Sequence, residues 1–375
     1  MLVVLHLITT LSTGGAQSML RKLVAASNRT QFKHVVVSML EDSAGMDAFM
    51  TEGIKVHSLG MRRGSFTPRA ILRFLGLLRR EAPHVVQTWL YHADLLGLAS
   101  LVASRAQLVW NIRSSFHDGL FELAPKACAV FSRMPSAVVV NSESGRRLHE
   151  QFGYRPRRWH RIANGFDVDV LRPDALARRS VRQALGIPPH APLIGLVARF
   201  DPLKDHGTFL HAAGVLARTD ATAHFVLIGS GVVPENPVID QLRRQEGLAD
   251  RLHLLGERHD IPALTAALDI ASLSSYAEGF PNVVGEAMAC GVPCVVTDVG
   301  DCRLIVDETG VVVPPRDPKA LAGGWQRLLQ IGAEARSRLG EAARERIKRY
   351  YSLSHVVNEY EGLYRSLTGE RPCAG

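Results

Sequence analysis

The sequence predicts an α/β protein of two Rossmann-like domains that face a central cleft. Three observations predict this fold class: the length of 375 residues, the alternation of short apolar segments with helical patterns, and a turn-rich break near residues 163–175. At roughly 150 residues per domain, the length suits two domains. A hydrophobic fraction of 46% is enough for two cores and excludes a disordered chain.

The predicted strands are apolar along most of their length, which is typical of parallel sheets covered by helices on both faces. In the first half, strands are expected at 2–8, 34–39, 54–57, 84–88, 107–112 and 137–141. In the second half, they are expected at 193–198, 223–228, 251–254, 268–273, 293–297 and 311–313. Helices are expected between them, for example at 16–30, 68–81, 205–219, 238–246 and 282–290. These strands are too many for one small open sheet, and a (β/α)8 barrel does not explain the break.

The break places the domain boundary. We expect a first domain over residues 1–165 and a second over residues 166–349. The stretch 339–368 is expected to be an amphipathic helix, and its part from about 350 to 368 is expected to pack back on the first domain. Ligands of open parallel sheets bind at the carboxyl ends of the strands, so candidate functional residues are sought just after strands.

Several global features exclude other classes of protein. No apolar run reaches the roughly 18–20 residues that span a bilayer. The N-terminal segment lacks the basic start of a secretory signal and is interpreted as a buried first strand. The cysteines show no paired spacing, so we expect small buried hydrophobes in a reducing cytoplasm rather than disulfides or a zinc site; they are Cys128, Cys290, Cys294, Cys302 and Cys373.

The net charge of +8 is unevenly distributed. Residues 1–165 carry 21 Lys and Arg against 10 Asp and Glu, a net +11, while the remainder carries a net −3. An anionic ligand, membrane or nucleic acid would suit the basic half. A uniform coat for nucleic acid would not predict so unequal a split.

Three loops after predicted strands carry candidate binding groups. The first, GGAQ at 14–17, gives close backbone approach and a helix N-terminus, although a simple tight turn explains it equally well. In the second, ARFDPLKDH at 198–206, Arg199 and Lys204 could clamp a diphosphate or form a solvated loop. In the third, EGFPNVVGE at 278–286, two carboxylates flank a helix start in an apolar segment, where acids are costly unless they have partners.

The sequence resembles the family 4 retaining glycosyltransferases of the GT-B fold, of the bacterial surface-polysaccharide type. The resemblance covers most of the chain through the order and spacing of GGAQ (14–17), IANGFD (162–167), ARFDPLKDH (198–206), LLGERHDI (254–261) and EGFPNVVGE (278–286). It implies that residues 1–165 form an acceptor-side domain and residues 166–349 a nucleotide-sugar-binding domain.

The resemblance also implies roles for individual residues. Arg199 and Lys204 match the basic pair on the donor diphosphate, Glu286 the acid that holds the ribose hydroxyls, and Glu278 the acid beside the transferred sugar. The other residues implied to contact the donor are Gly14, Gly15, Gly229, Gly231, Gly256, Arg258, Phe280, Pro281, Asn282 and Val283.

One departure from the family pattern concerns a histidine that follows the strand ending near Ile112. This chain reads NIRSSFHDG, which puts Ser114 near the strand end and the histidine at His117. His117 is expected to reach back to the donor sugar as a catalytic residue with Glu278, Arg199 and Lys204. The alternative is that Arg113 and Ser114 serve instead.

Catalysis is expected to need neither a metal nor another cofactor. Glycosyl transfer passes through an oxocarbenium-like state, and placed cations and a helix N-terminus can stabilise the departing diphosphate. The single D-x-D match, Asp167-Val168-Asp169, lies at the domain junction and is interpreted as unrelated to metal binding. Retention of anomeric configuration is implied by the resemblance. A UDP-sugar is the expected donor, with a GDP-sugar left open.

The basic residues of the first half suggest the acceptor. Arg69, Arg73, Arg79, Arg80 and Trp159 suit contact with the anionic inner face of the plasma membrane, where a glycan or polyprenyl-diphosphate-linked acceptor would be met. An ordinary sheet-covering helix with a solvated basic face is the alternative. The protein is expected to be cytoplasmic, with a role in polysaccharide or glycolipid synthesis.

Two other functions remain open at this point. A nucleotide-sugar epimerase of the same fold would release and rebind the nucleotide without an external acceptor. A basic nucleic-acid-binding protein is a more distant alternative, because the sequence has neither interleaved aromatics on a strand platform nor a recognition-helix or zinc-finger pattern. No nucleic-acid partner is therefore expected.

Overall fold

The computed structural model describes residues 1–12, 14–62, 67–113 and 123–369. The chain forms two compact units. Unit 1 consists of residues 1–165 together with the C-terminal segment from Leu353, and unit 2 of Phe166–Ser352.

Unit 1 alternates strands and helices along the sequence. Its strands are β1 (Leu2–Ile8), β2 (Phe32–Leu40), β3 (Lys55–Met61), β4 (Val85–Trp89), β5 (Gln107–Ile112), β6 (Ala137–Val140) and β7 (Trp159–Arg161). Its helices are α1 (Gly15–Ala26), α2 (Ser43–Met50), α3 (Pro68–Glu81), α4 (Tyr91–Gly97), α5 (Ser100–Ala103), α6 (Leu123–Phe131), α7 (Glu143–Gln151) and, from the C-terminal segment, α16 (Leu353–Thr368).

The described strands of unit 1 form one parallel sheet in the order β3-β2-β1-β4-β5-β6-β7. Apolar side chains pack on both of its faces, as expected for strands without a polar face. Helix α16 contributes Val356, Val357, Tyr360 and Tyr364 to one of these cores, where they pack with residues of α1. The apolar stripe of the C-terminal segment is therefore buried in unit 1.

Unit 2 repeats the same alternation. Its strands are β8 (Leu193–Val197), β9 (His224–Ile228), β10 (Leu252–Leu254), β11 (Ile270–Leu273), β12 (Cys294–Thr297) and β13 (Gly310–Val313). Its α-helices are α8 (Ala175–Ala184), α9 (His206–Ala217), α10 (Pro237–Gln245), α11 (Ile261–Ala266), α12 (Asn282–Ala289), α13 (Cys302–Val306), α14 (Pro318–Gln330) and α15 (Gly332–Tyr350). Short 3-10 turns cover Pro202–Lys204 and Asp307–Thr309.

The described strands of unit 2 are parallel in the order β10-β9-β8-β11-β12-β13. Counted from β8, this is the order in which a doubly wound sheet reverses direction between its first and fourth strands. The same reversal occurs in unit 1 between β1 and β4. The prediction of two Rossmann-like α/β domains is confirmed.

The structure differs from the predicted elements in several places, among them β3, which extends to Met61 rather than residue 57. Strand β7 was not predicted, because Trp159, His160 and Arg161 are too few and too polar to resemble a strand. The single helix expected at 339–368 is wrong: α15 ends at Tyr350 and α16 begins at Leu353, because the Tyr351 carbonyl accepts a hydrogen bond from the Phe166 amide. Helix α1 ends at Ala26, short of the expected residue 30.

Among the described helices, none is both long enough and apolar enough to cross a bilayer.

Candidate active site

The candidate site of unit 2 lies where its sheet reverses direction. Lys204 follows β8 and Glu278 follows β11, and these two strands are neighbours on either side of the reversal. The carboxyl ends of such neighbouring strands border the crevice in which open α/β sheets bind ligands. The topology thus brings together two residues that are 74 positions apart in the sequence.

Lys204 and Glu278 form a close ion pair. The ammonium Nζ of Lys204 donates to Oε1 of Glu278 over 2.6 Å, with 26% of the lysine and 10% of the glutamate side chain exposed. The hydroxyl of Ser275 donates to the same oxygen over 2.7 Å. Two donors on one oxygen fix the orientation of the carboxylate.

Backbone contacts hold the two loops of this pair against each other. The hydroxyl of Ser274 donates to the Lys204 carbonyl over 2.8 Å, and the amide of Tyr276 donates to the Leu203 carbonyl over 3.0 Å. The hydroxyl of Thr297, at the end of β12, donates to the Ser275 carbonyl over 2.6 Å. Ser274, Ser275 and Thr297 are all fully buried, so these bonds are shielded from water.

The loop after β12 supports Glu278 from the other side. The amide of Asp301 donates to the Gly279 carbonyl over 2.9 Å. Gly300 has φ +55°, and a Cβ there would lie 2.6 Å from the Gly279 carbonyl oxygen and 2.7 Å from that of Glu278. Only glycine allows both this backbone conformation and this approach.

Arg199 follows β8 directly but does not contact Glu278. Its guanidinium donates to Oδ2 of Asp201 over 2.8 and 3.1 Å, and 69% of its side chain is exposed. The Arg199 hydrogen bond, together with one from the Leu203 amide, lowers the pKa of the Asp201 carboxyl. Arg199 is thus an accessible cation beside the switch point, held by a local acid that the sequence interpretation missed.

The glycine loop after β9 packs tightly on the loop that carries Arg199. Gly229 has φ +154°, and a Cβ there would overlap the Ala198 carbonyl group. The Phe200 amide donates to the Ser230 carbonyl over 2.7 Å, and the Gly229 amide donates to the Gly256 carbonyl over 2.8 Å. Three consecutive loops are therefore joined by their backbones.

Gly231 and Gly256 also have positive φ, of +76° and +61°. Arg258, two residues beyond Gly256, is an exposed cation that donates to both carboxylate oxygens of Asp260 over 2.7 and 2.8 Å. The structure thus places these predicted donor residues at the same edge of the sheet as Arg199.

Helix α12 follows the Glu278 loop and begins after Pro281. Its N-cap residue is Pro281, whose side chain makes no capping hydrogen bond. Amide groups at a helix N-terminus favour anions. Asn282 and Val283 lie in the first turn and Glu286 in the second, where it is partly exposed.

The packing of α12 explains several small and aromatic residues of its segment. Phe280 stacks on Phe166 at 6.2 Å between ring centroids. A Cβ on Gly285 would overlap the Phe166 ring. The sequence interpretation missed this role of Gly285, because glycine in a helix carries no sign of the ring that covers it.

The described groups at the carboxyl edge of unit 1 are fewer. Gly14 and Gly15 lie at the start of α1, with Gly14 as its N-cap residue. The side-chain amide of Gln17 donates through Nε2 to the Thr10 carbonyl over 3.3 Å. His117 and Ser114 lie outside the described residues.

Arg113, the other group considered for the donor sugar, packs inside unit 1. Its guanidinium lies over the rings of Trp89 and Tyr360, at 5.2 and 5.9 Å from their centroids. It also donates to Asn111 over 3.2 Å, and to Asn164 and the Tyr360 hydroxyl. These contacts join β5, α16 and the junction segment.

The basic residues predicted as an acceptor or membrane surface do not form one patch. Arg69, Arg73, Arg79 and Arg80 lie on the exposed side of α3, which contacts the edge strand β3. Trp159 begins β7, the opposite edge strand. Six strand spacings of about 4.8 Å separate these edges, which is roughly 29 Å.

Of the four α3 arginines, only Arg80 forms an ion pair among the described residues, with the buried Glu81 over 3.1 Å. Arg73 donates to the neutral Leu59 carbonyl over 3.0 Å and keeps its charge. The exposed α3 surface is therefore basic, and most of its charge is uncompensated.

The D-x-D match at the junction forms a turn. The Oδ1 of Asp167 accepts hydrogen bonds from the amides of Asp169 and Val170 over 3.1 and 3.2 Å. Within the described residues, no group of three or more His, Cys, Asp or Glu side chains is arranged to hold a metal ion. The four described cysteines are free and buried, as expected.

Two glycosyltransferase family models together match most of the chain. The family model for glycosyl transferases group 1 matches residues 191–331, which include Arg199, Lys204 and Glu278. The model for glycosyltransferase family 4 matches residues 13–170. The chain belongs to glycosyltransferase family 4. The predicted family membership is confirmed.

Solved structures similar to this glycosyltransferase match nearly its whole length. HepE from Anabaena, solved in complex with UDP, has a TM-score of 0.86 at 21% identity over 97% of this chain and 99% of HepE. A glycosyltransferase from Rickettsia africae ESF-5 has a TM-score of 0.84 at 16% identity over 98% of each chain. These likenesses confirm the GT-B fold.

The sequence relatives are also named as glycosyltransferases. EpsF of Bacillus subtilis (strain 168), named as a glycosyltransferase, is 25% identical over 311 residues, or 79% of each chain. A D-inositol 3-phosphate glycosyltransferase of Mycobacterium tuberculosis is 29% identical over 237 residues, which span 62% of this chain and 49% of the relative. The match therefore spans about half the length of that relative.

Proposed function

We propose that this glycosyltransferase moves a sugar from a nucleoside-diphosphate sugar to a glycan or a polyprenyl-diphosphate-linked acceptor, with retention of anomeric configuration. The observation that carries the proposal is the Lys204–Glu278 pair at the switch point of unit 2. A fixed cation beside a fixed carboxylate suits a donor that has a diphosphate next to a sugar.

The departing diphosphate needs positive charge in the transition state. Lys204, the exposed Arg199 and the N-terminus of α12 can supply it. Such groups are already oriented, so little reorganisation is needed when charge develops. On this basis the proposed reaction needs no metal and no other cofactor.

Binding of a diphosphate would also redistribute the ion pair. Lys204 would donate to the phosphate in place of part of its hydrogen bonding to Glu278. The Glu278 carboxylate could then accept hydrogen bonds from hydroxyl groups of the sugar. Glu286, one to two turns into α12, lies on the same helix and suits the vicinal hydroxyls of a ribose. The two acids would thus bind two different parts of the donor.

The proposed donor is a UDP-sugar, and a GDP-sugar is the alternative. HepE, which shares the fold, was solved in complexes with UDP, with UDP-glucose, and with UDP and glucose. For the acceptor, the exposed arginines of α3 suit an anionic surface or an acceptor with a diphosphate. We therefore propose a cytoplasmic enzyme that contacts the inner membrane peripherally and acts in polysaccharide or glycolipid synthesis.

Donor binding can be tested with Lys204→Ala. The free energy of UDP binding, measured by calorimetry, is expected to weaken by about 1.5–3 kcal/mol, as for the loss of a charge-assisted hydrogen bond. Lys348→Ala is the matched control, because Lys348 forms an ion pair of 2.7 Å with Glu345 on the exposed side of α15. Equal UDP affinity in both variants would contradict the assignment of the donor site.

The reaction can be tested with a UDP-sugar and a polyprenyl-diphosphate-linked glycan. NMR of the product is expected to show the sugar on the acceptor with the anomeric configuration of the donor, at a rate that EDTA leaves unchanged. An inverted product would refute retention, and loss of activity with EDTA would refute metal independence. Interconversion of the donor without transfer would instead support an epimerase.

Membrane contact is tested with vesicles. Binding to phosphatidylglycerol vesicles is expected to exceed binding to phosphatidylcholine vesicles and to weaken with salt. The double substitution Arg69→Gln and Arg79→Gln is expected to reduce it. Negligible binding to both kinds of vesicle would remove this part of the proposal.

A further inference from the structure

Unit 1 has a large basic hollow that the reaction does not use. It is open, has a volume of about 1070 Å³, and is lined by Arg133, Arg147, Glu150, Arg155, Arg157 and Trp159 among others. We call it the arginine hollow. Four guanidinium groups and one carboxylate give its lining a strongly positive charge.

The acids near the arginine hollow do not neutralise it. Glu150 is paired with Arg146 over 2.7 Å, and Glu143, the partner of Arg147 over 3.2 Å, is shared with Arg146 over 2.5 Å. Arg133 and Arg157 are exposed and form no ion pair among the described residues.

Arg155 is held in place by the backbone. Its guanidinium donates to the carbonyls of Glu150 and Tyr154 over 2.6 and 2.8 Å. Its backbone amide donates to the Ser132 hydroxyl over 2.8 Å. A guanidinium bonded to neutral carbonyls keeps its full charge. The hollow thus combines one fixed cation with others that can move toward a ligand.

The position of the hollow separates it from the carboxyl ends of the strands, where open parallel sheets bind their ligands. Arg133 precedes β6 and Trp159 is the first residue of β7, so the hollow lies at the amino ends of these parallel strands. The hollow and the expected ligand-binding side of the unit 1 sheet are therefore at opposite ends of its strands.

We propose that the arginine hollow binds a phosphate-bearing anion at a second site, distinct from the donor site. Guanidinium groups recognise phosphate through paired hydrogen bonds, and several around one space suit a group with more than one negative charge. The ligand is a diphosphate or a phosphate ester, provided either by a free phosphorylated metabolite or by an anionic lipid headgroup. This inference does not rest on the proposed transfer reaction.

Trp159 provides a local reporter for this site. The chain has four tryptophans. Trp89, Trp110 and Trp325 are fully buried, whereas Trp159 is partly exposed in the wall of the hollow. The difference in fluorescence between the wild type and Trp159→Phe isolates the emission of this residue from any change at the donor site.

The experiment titrates the full-length protein with inorganic pyrophosphate at constant ionic strength, and separately with phosphatidic acid or phosphatidylcholine vesicles. The expected result is a saturable change in Trp159 emission with pyrophosphate, with phosphatidic acid vesicles, or with both. Arg133→Gln combined with Arg157→Gln is expected to weaken binding by about tenfold or more, as for the loss of charge-assisted hydrogen bonds.

The matched control combines Arg218→Gln with Arg338→Gln, which removes two exposed arginines of unit 2 and the same net charge. It is expected to bind like the wild type. A response to pyrophosphate identifies a free anion as a sufficient ligand, and a response to phosphatidic acid vesicles alone identifies a headgroup. No saturable response to either probe, or equal weakening in the control, would overturn the proposal.

Discussion

The two units of the molecule share a strand order but use their charged residues differently. In unit 2, charged groups stand at the switch point, where Lys204 and Glu278 are fixed by buried hydroxyls and by loop–loop hydrogen bonds. In unit 1, the cation that follows β5 at the same edge, Arg113, is used to pack α16. Much of the remaining positive charge of unit 1 lies on α3 and around the arginine hollow.

This difference shows that net charge is a poor guide to where an anion is bound. The part of the chain with a net charge of −3 carries the candidate diphosphate site, because a few cations are fixed at the edge where parallel strands end. The part with a net charge of +11 spreads its cations over separate surfaces. Its buried polar groups are neutral or locally paired, as with the stacked His6 and His34, whose pKa values are lowered by burial.

The largest effect is expected where the comparison is most direct, at Glu278. Glu278→Gln keeps the shape of the side chain but removes the charge that faces Lys204 and, in the proposed complex, the sugar. We expect kcat/KM to fall by about 100- to 1,000-fold, as for the loss of a preorganised electrostatic contact. Steady-state kinetics of sugar transfer measure it.

The matched control for this substitution is Glu345→Gln. Glu345 also pairs with a lysine in unit 2, over 2.7 Å, but it is 68% exposed on α15. Its kcat/KM is expected to stay within about twofold of the wild type, as for most exposed ion pairs. Similar losses in both variants would show that the difference between buried and exposed pairs has no bearing on catalysis.

Much of the fold could be predicted from the sequence because local patterns determine it. Apolar β-branched segments such as 193–198 specify buried strands, and helices between them leave few alternatives to a doubly wound sheet. The break near 163–175 contains the boundary between Gly165 and Phe166 that divides the two units. Strand β7 and the interruption at Tyr351 and Ser352 could not be predicted, because both depend on contacts with distant residues.

The candidate site was less accessible to sequence reasoning. The spacing of EGFPNVVGE pointed to Glu278 and Glu286, but the partners of Glu278 come from a loop 74 residues earlier and from Ser275, which looks like any loop serine. The role of Arg113 was equally hidden, since a cation just after a strand suggests ligand binding. Only the position of Tyr360, 247 residues later, shows that the Arg113 side chain packs internally.

The next largest effect concerns the tight packing behind the unit 2 site. Gly285→Ala places a methyl group against the Phe166 ring, which is 1% exposed and has no room to move. We expect the free energy of unfolding to fall by about 1–3 kcal/mol, as for overpacking of a buried site. At Gly323→Ala, in α14, the new methyl group has no atom within 4 Å apart from its chain neighbours and the nearby backbone of α14, so the free energy of unfolding is expected to rise by about 0.5–1 kcal/mol. Urea unfolding followed by Trp325 emission compares them, and equal changes in both variants would refute this account of α12.

Arg113 tests the unit 1 side of the comparison. Arg113→Gln removes the stacking on Trp89 and Tyr360, and we expect the free energy of unfolding of unit 1 to fall by about 1–2 kcal/mol. Because the side chain is used in packing, the KM for the donor sugar is expected to change less than twofold at temperatures where the variant is folded. Denaturant unfolding and steady-state kinetics measure the two effects separately. A large rise in KM with unchanged stability would instead assign Arg113 to the donor, which is the alternative left open by the sequence.

The smallest effect concerns Glu81, whose charge is expected to stabilise unit 1. Burial by itself raises the pKa of Glu81, but hydrogen bonds from Lys55 and Arg80 outweigh it and lower the pKa to about 2, below the ordinary 4.5. The folded state therefore binds this proton more weakly than the unfolded state. Its stabilising contribution is complete above about pH 4.5 and is lost as the pH falls from 4.5 toward 2.

Glu81→Gln is accordingly expected to lower the free energy of unfolding by about 1 kcal/mol at pH 7, since Lys55 is 46% exposed and the pair is screened by water and salt. The difference from the wild type should shrink as the pH falls through this window, and urea unfolding at a series of pH values measures it. Glu334→Gln, at an 86% exposed glutamate paired with Arg338, should show no such dependence. A constant difference between wild type and Glu81→Gln would mean that Glu81 stabilises unit 1 by its shape rather than by its charge. The comparison between the charges of Glu81 and Glu278 would then depend only on the effect measured for Glu278.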